Sequence, residues 1–180
     1  MSRAEPDILR AGGIAPAPLP FTDERSALET AFDDLVEPYV QRLYRFLYVR
    51  LGHESDARDA LQETLLAAWL GLAQLRERDR PWAWLVGIAA HKAADTARRR
   101  KRAPSVALAE EVEAAVLPES DASETRAALS RLPHKAREVL LLRYMARLSE
   151  EETAAILGVR VGTVKSRAAR ARQLLLDELG

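Results

Sequence analysis

The stretch SEEETAAILGVRVGTVKSRAARAR, residues 149–172, leaves its chain few folding choices. Ser149 opens it with a hydroxyl that reaches the free amide three residues on, while the Glu152 carboxylate reaches back: the reciprocal capping box of a helix start. Gly158 ends that helix, Val159, Arg160 and Val161 make a tight corner, and a second helix begins near Gly162. Two short helices around such a corner have helix-turn-helix spacing. At about 100° per residue, Val164, Ala168, Ala171 and Leu175 share a side suited to packing on the first helix. The opposite side carries Lys165, Ser166, Ala169, Arg170 and Gln173, with Arg167 and Arg172 at its flanks. Small side chains let a backbone approach a groove floor while long cations reach bases and phosphates, which is what a helix entering a DNA groove requires. A solvated basic helix in a plain bundle is the alternative; the capped start, the glycine corner and the apolar stripe together argue against it.

The chain has 180 residues, enough for one domain or two small helical units, each with a modest core. It contains no cysteine, which excludes disulfides, thiolate metal sites and a cysteine nucleophile. His53, His91 and His134 lie far apart and form no ligand-spaced pair, so neither a metal nor a cofactor is expected. No apolar run approaches the ~20 residues of a membrane span, and the N-terminus lacks the pattern of a signal peptide, so no membrane insertion and a cytoplasmic location are expected. Net charge is zero, yet it is segregated: residues 131–180 hold ten Lys/Arg against six Asp/Glu, and residues 103–130 hold one against six. Locally basic faces can therefore meet phosphates while the acidic segment stays away from them.

In chain order, residues 1–25 are rich in Gly and Pro without a period and read as a flexible arm. Over 33–51, Val36, Tyr39, Val40, Leu43 and Leu47 follow the helical period until Gly52. A second helix over 55–72, capped by Ser55, would turn Ala57, Leu61, Leu65, Ala68 and Leu72 inward. Its outer face, Asp59, Gln62, Glu63 and Leu66, is an acidic patch displaying one leucine, which suits a partner helix with basic and apolar side chains. Residues 76–82, RERDRPW, read as a loop, with Pro81 opening a third helix that ends in the cation run RRRKR at 98–102. Trp84, Leu85, Ile88 and Ala89 point inward, and Trp69 and Trp84 read as core. Rings and cations around one loop and helix suit single-stranded nucleic acid, and Trp82, beside the loop, is the ring to contact a base. Residues 103–123 are acidic, carry Pro104 and Pro118, and read as a linker. A short helix over 124–132 then leads through Pro133 to a helix over 135–147, crowded by Val139, Leu140, Leu142 and Tyr144.

Two stretches carry a family resemblance. LPHKAREVLLLRYMARLSEEETAAILGVRVGTVKSRAARAR, residues 132–172, resembles region 4 of bacterial RNA polymerase sigma factors of the extracytoplasmic-function (ECF) group, through the pieces LGV, GTVKSR and RAR. DARDALQETLLAAW and PWAWLVGIAAHKAADTARRRKR resemble region 2 of the same group. Departures are local: Thr153 and Ala168 replace larger aliphatics, Arg160 a small residue or proline, Arg58 an acidic residue, and Ala90-His91 an Arg-Asn pair. The last lies at a base-reading position, so the minus-10 preference is not to be copied from relatives.

The resemblance implies an all-α, non-catalytic chain of two small domains: region 2 over 26–102 and region 4 over 124–180, joined by the acidic linker. It implies that core RNA polymerase is met by Asp56, Asp59, Gln62, Glu63 and Leu66, which would face the clamp helices of the largest subunit. The melted minus-10 strand would lie on Arg76, Arg78, Arg80, Trp82, His91, Lys92, Asp95 and Arg98. Duplex promoter DNA at the minus-35 element would meet Thr163, Lys165, Ser166, Arg167, Ala169 and Arg170. Part of region 4 would grip the flap of the second subunit, and an anti-sigma factor is an expected partner. The rival is a stand-alone helix-turn-helix regulator of duplex operators, which has no need of the upstream QE-bearing and Trp/Arg helices. A hydrolase or transferase has no phosphate loop, metal spacing or nucleophile-base set in its support.

Overall fold

The computed structural model describes residues 22–72, 75, 81–102 and 121–180. Within them every element is helical: α1 Thr22–Leu51, α2 Glu54–Gly71, α3 Pro81–Arg102, α4 Asp121–Arg131, α5 His134–Leu140 continuing as a π-helical segment Leu141–Met145, α6 Glu150–Leu157 and α7 Val161–Leu179. None of these helices is long and apolar enough to cross a membrane.

α1, α2 and α3 wrap a core of Val36, Leu43, Phe46, Leu47, Leu85 and Val86. Ala57, Ala60 and Ala68 line the inner side of α2, and their small side chains admit the bulk of α1. Thr64, buried among them, is satisfied by donating its hydroxyl to the Ala60 carbonyl at 2.6 Å. The expected inner leucines Leu61 and Leu65 are only half-buried at the edge of this core, as are Trp69 and Trp84. Trp69 meets Phe32 edge-on, with ring centroids 5.2 Å apart.

Three boundaries differ from those expected. α1 starts at Thr22, inside the expected arm, because residues 22–32 are rich in Ala, Leu and Glu, whose propensity extends a helix where no apolar period marks it. Ser55 does not cap α2: His53 occupies the N-cap position without a side-chain bond, and Glu54 and Asp56 favour the start through the helix dipole. α4 begins at Asp121, within the expected linker, whose residues 103–120 lie outside the described ones.

The expected single helix over 135–147 is divided. Val139 and Leu140 join Leu132, Ala154, Val164, Ala168 and Ala171 in a second core between α5, α6 and α7. The very next residues, Leu141 and Leu142, and after them Ala146 and Leu148, enter the first core. A π turn holds one extra residue, which shifts the side chains that follow to another face. The chain then reverses through Arg147, whose φ of 56° is left-handed, and Tyr144 is left exposed.

The two helical units therefore share a wall. Arg50 of α1 pairs with Glu138 of α5 at 2.5 Å, with side chains 6% and 20% exposed, so water screens this pair far less than a surface one. Arg126 of α4 donates to the Tyr48 hydroxyl at 3.2 Å and lies over its ring.

Thr153 of α6 is fully buried, and its hydroxyl finds no hydrogen-bond partner among the described residues. An unpaired buried hydroxyl costs about 1–3 kcal/mol, and valine reproduces its shape without it. Thr153→Val is therefore expected to raise the unfolding free energy by about 1 kcal/mol in urea denaturation; a decrease would mean that the hydroxyl is bonded.

Candidate nucleic-acid and polymerase interfaces

The helix-turn-helix is built by local chemistry. Glu152 N donates to Ser149 Oγ at 3.1 Å and Ser149 N to Glu152 Oε2 at 2.7 Å, completing the capping box. Gly158 ends α6 at φ 62°, ψ 37°, a left-handed position that a side chain would disfavour. The amides of Thr163 and Val164 then donate to the Arg160 carbonyl at 2.9 and 3.2 Å, launching α7. Val164, Ala168 and Ala171 are buried against α5 and α6, with Leu175 half-buried. Rotated away from them, Lys165, Ser166, Ala169, Arg170 and Gln173 are exposed, while Thr163 and Arg167 are half-buried at the edges. Ser166 donates to the Thr163 carbonyl at 3.2 Å, and Lys165 Nζ lies 3.4 Å from Glu150 Oε2 across the corner.

On α2, Asp59, Gln62 and Leu66 are exposed and lie on one stripe. Leu70, one turn beyond Leu66 and 73% exposed, extends it. The AAWLGL run masked that leucine in the sequence, although its i+4 spacing from Leu66 was a signal. Glu63 and Asp56 also face α3. Glu63 takes Arg99 at 2.8 Å and Lys92 at 3.7 Å, and Asp56 takes Arg100 at 3.3 Å. These are surface pairs, each worth about 0–1 kcal/mol, and they leave the carboxylates available to a partner.

Along α3, His91 is exposed with Nδ1 2.7 Å from the Gly87 carbonyl, and Lys92 is half-buried. Asp95 and Arg98 are exposed and paired with each other. That hydrogen bond holds the Asp95 carboxyl below the usual carboxylate range. Arg76, Arg78 and Arg80 lie outside the described residues. Trp82, expected beside an open loop, is half-buried instead: its ring stacks on Tyr39 at 5.5 Å, Arg42 sits 4.0 Å above it, and its indole N–H donates to the Ala146 carbonyl at 2.7 Å. Arg42 carried no signal in the sequence, since on α1 alone it is one more surface cation.

Residues 35–103 match the family model for sigma-70 region 2, and residues 123–175 that for sigma-70 region 4. The ECF RNA polymerase sigma factor SigD of Mycobacterium tuberculosis is 38% identical over 87% of this chain and 78% of its own length. SigW of Bacillus subtilis, another ECF sigma factor, is 32% identical over 84% of this chain and 90% of its own. Among solved structures, the sigma factor RpoE of Bartonella quintana, in complex with the anti-sigma factor NepR, superposes with a TM-score of 0.64 at 25% identity, covering 88% of this chain and 98% of that one. A stand-alone operator-binding regulator would not account for the region 2 match. The chain belongs to the ECF sigma factors, non-catalytic RNA polymerase subunits that direct transcription initiation through sigma regions 2 and 4.

Proposed function

We propose that this sigma factor divides its work among three faces. The outer stripe of α2, with Asp56, Asp59, Gln62, Glu63 and Leu66, meets the clamp helices of the largest polymerase subunit. The outer side of α3, with His91, Lys92, Asp95 and Arg98, receives the melted minus-10 strand together with Trp82 at the start of the helix and the preceding arginines Arg76, Arg78 and Arg80. The outer side of α7, with Thr163, Lys165, Ser166, Arg167, Ala169 and Arg170, reads the minus-35 element in the major groove. Residues 26–102 and 124–180 act as the two functional units, and 103–123 as the link between them. The observation that carries this reading is α7 itself: a helix launched from the corner at Gly158, behind a capped α6, with small and cationic side chains on its exposed face.

Exposed Tyr144 and the apolar groove beside it, about 570 Å³ between α1, α4, α5 and α7, offer the surface for the polymerase flap. The likeness to a sigma factor solved with its anti-sigma factor supports an anti-sigma partner here as well. A pull-down from native cells recovers such a protein in stoichiometric amount; recovery of polymerase alone contradicts it. These partners put the protein at work in the cytoplasm.

The stripe on α2 is tested by Gln62→Ala combined with Leu66→Ala. Both side chains are exposed, so folding is retained while affinity for core polymerase falls about tenfold, the loss of one good contact. Promoter preference of the residual complex stays unchanged. If the pair of substitutions leaves polymerase affinity intact, the clamp-facing assignment is wrong.

A further inference from the structure

Two donors from different helices converge on one acceptor at the wall between the units. The Trp82 indole N–H of α3 and Arg42 Nη2 of α1 both donate to the Ala146 carbonyl, at 2.7 and 2.9 Å. Tyr39 stacks on Trp82 and Arg42 lies over it, so the two donors are held in register before any acceptor arrives. Burial, and then the nearby positive charge of Arg147, lowers the Arg42 guanidinium from its ordinary value, the mark of a cation partly withdrawn from water. The acceptor is an end-of-helix carbonyl, a group that needs an external donor. It comes from region 4, 104 residues away from Arg42 in sequence.

Region 4 covers α3 at a second point. Ile156 and Ala155 of α6 face Trp84, Gly87, Ile88, His91, Lys92 and Asp95 across a groove of about 480 Å³. That is the side assigned above to the melted strand. The closed arrangement cannot persist on a promoter. Elements centred at minus-35 and minus-10 lie about 25 base pairs apart, or about 85 Å at 3.4 Å per pair, whereas a compact chain of this length has a radius of gyration of about 16 Å. When region 4 leaves, Trp82 and Arg42 lose their shared acceptor, and unmade hydrogen bonds at a half-buried site are costly.

We propose that Arg42 and Trp82 form a two-donor seat that holds the Ala146 carbonyl of region 4 in the free chain and a ring carbonyl of an unpaired base after opening. The seat thus latches the free protein and reads the strand with the same atoms. Its ligand class is a nucleobase bearing a ring carbonyl, as thymine, cytosine and guanine do and adenine does not. The proposal rests on the reading of α3 as the strand-facing helix.

The test uses the full chain, wild type and Trp82→Phe, which keeps the ring and its stack but deletes the N–H; Arg42→Gln is the second variant. The chain has no cysteine, so Ser55→Cys with Lys135→Cys takes a dye pair for energy transfer between the units. Trp82→Phe and Arg42→Gln are expected to lower the transfer efficiency of the free chain. With core polymerase bound, affinities for fluorescent oligo(dT) and oligo(dA) twelve-mers are compared. Each variant is expected to lower the dT/dA affinity ratio about two- to tenfold, the range for one lost hydrogen bond, with oligo(dA) binding unchanged. An unchanged ratio, or tighter binding of both oligomers, overturns the seat as a base reader; unchanged energy transfer overturns it as a latch. Lys92→Ala separates this from the underlying reading: it weakens both oligomers equally if α3 faces the strand, and no effect would sink that assignment instead.

Discussion

Leu142→Ala is expected to lower the unfolding free energy by about 2–5 kcal/mol, close to the whole margin of a small helical protein. Leu142 belongs to region 4, yet it is fully buried in the core formed by α1, α2 and α3. Truncation leaves a cavity in a cluster that holds large side chains such as Leu43 and Phe46 of α1, and close packing lets such a cavity collapse only in part. The effect extends beyond stability, because Leu142 sits on the π segment that also delivers Ala146 to Trp82 and Arg42. Urea denaturation reads the loss directly. A change below about 1 kcal/mol would be inconsistent with a side chain so enclosed, and would mean that the two units do not share a core.

Combining Lys165→Ala with Arg170→Ala is expected to abolish most minus-35 discrimination. Each cation on the exposed side of α7 that reaches a base edge contributes about 1–3 kcal/mol of discrimination. The two lie more than one turn apart and share no partner, so their effects add to about 2–6 kcal/mol, or about 30-fold to about 10⁴-fold in promoter preference. Polymerase affinity stays intact, since neither residue touches α2. Competition between promoter fragments that differ only in the upstream element measures this. A uniform loss across sequences, with a shallower salt dependence, would show instead that both residues only hold phosphates.

What could be read in the sequence was what is decided locally. The capping box at Ser149 and Glu152, the left-handed Gly158 and the two-sided pattern of α7 are each settled within a few residues, and the structure carries them as expected. The all-helical architecture follows from the same short-range periodicity. The start of α1 at Thr22 was hidden because propensity alone, without an apolar stripe, extends it. Ser55 offered a cap two residues too late, since His53 holds the position without any side-chain bond. The π segment, the division of Val139 from Leu142, and the placement of Trp82 were out of reach for a different reason. They are decided by contacts across the wall between units, such as Trp82 with Ala146, 64 residues apart, and Arg50 with Glu138, 88 residues apart. No local pattern records such pairings. Leu70 lies between the two cases: its outward position follows from the helical register of Leu66, but its apolar neighbours disguised it.

Promoter direction by this protein can be read by transcribing a fragmented genomic library with purified bacterial core polymerase and sequencing the 5′ ends, with no sigma factor, with this protein, and with its Lys165→Ala, Arg170→Ala form. Discrete new start sites preceded by two spaced elements are expected with this protein, and the double variant is expected to lose the influence of the upstream element. New starts whose upstream sequences are unchanged by the double variant would contradict the assignment of promoter reading to α7.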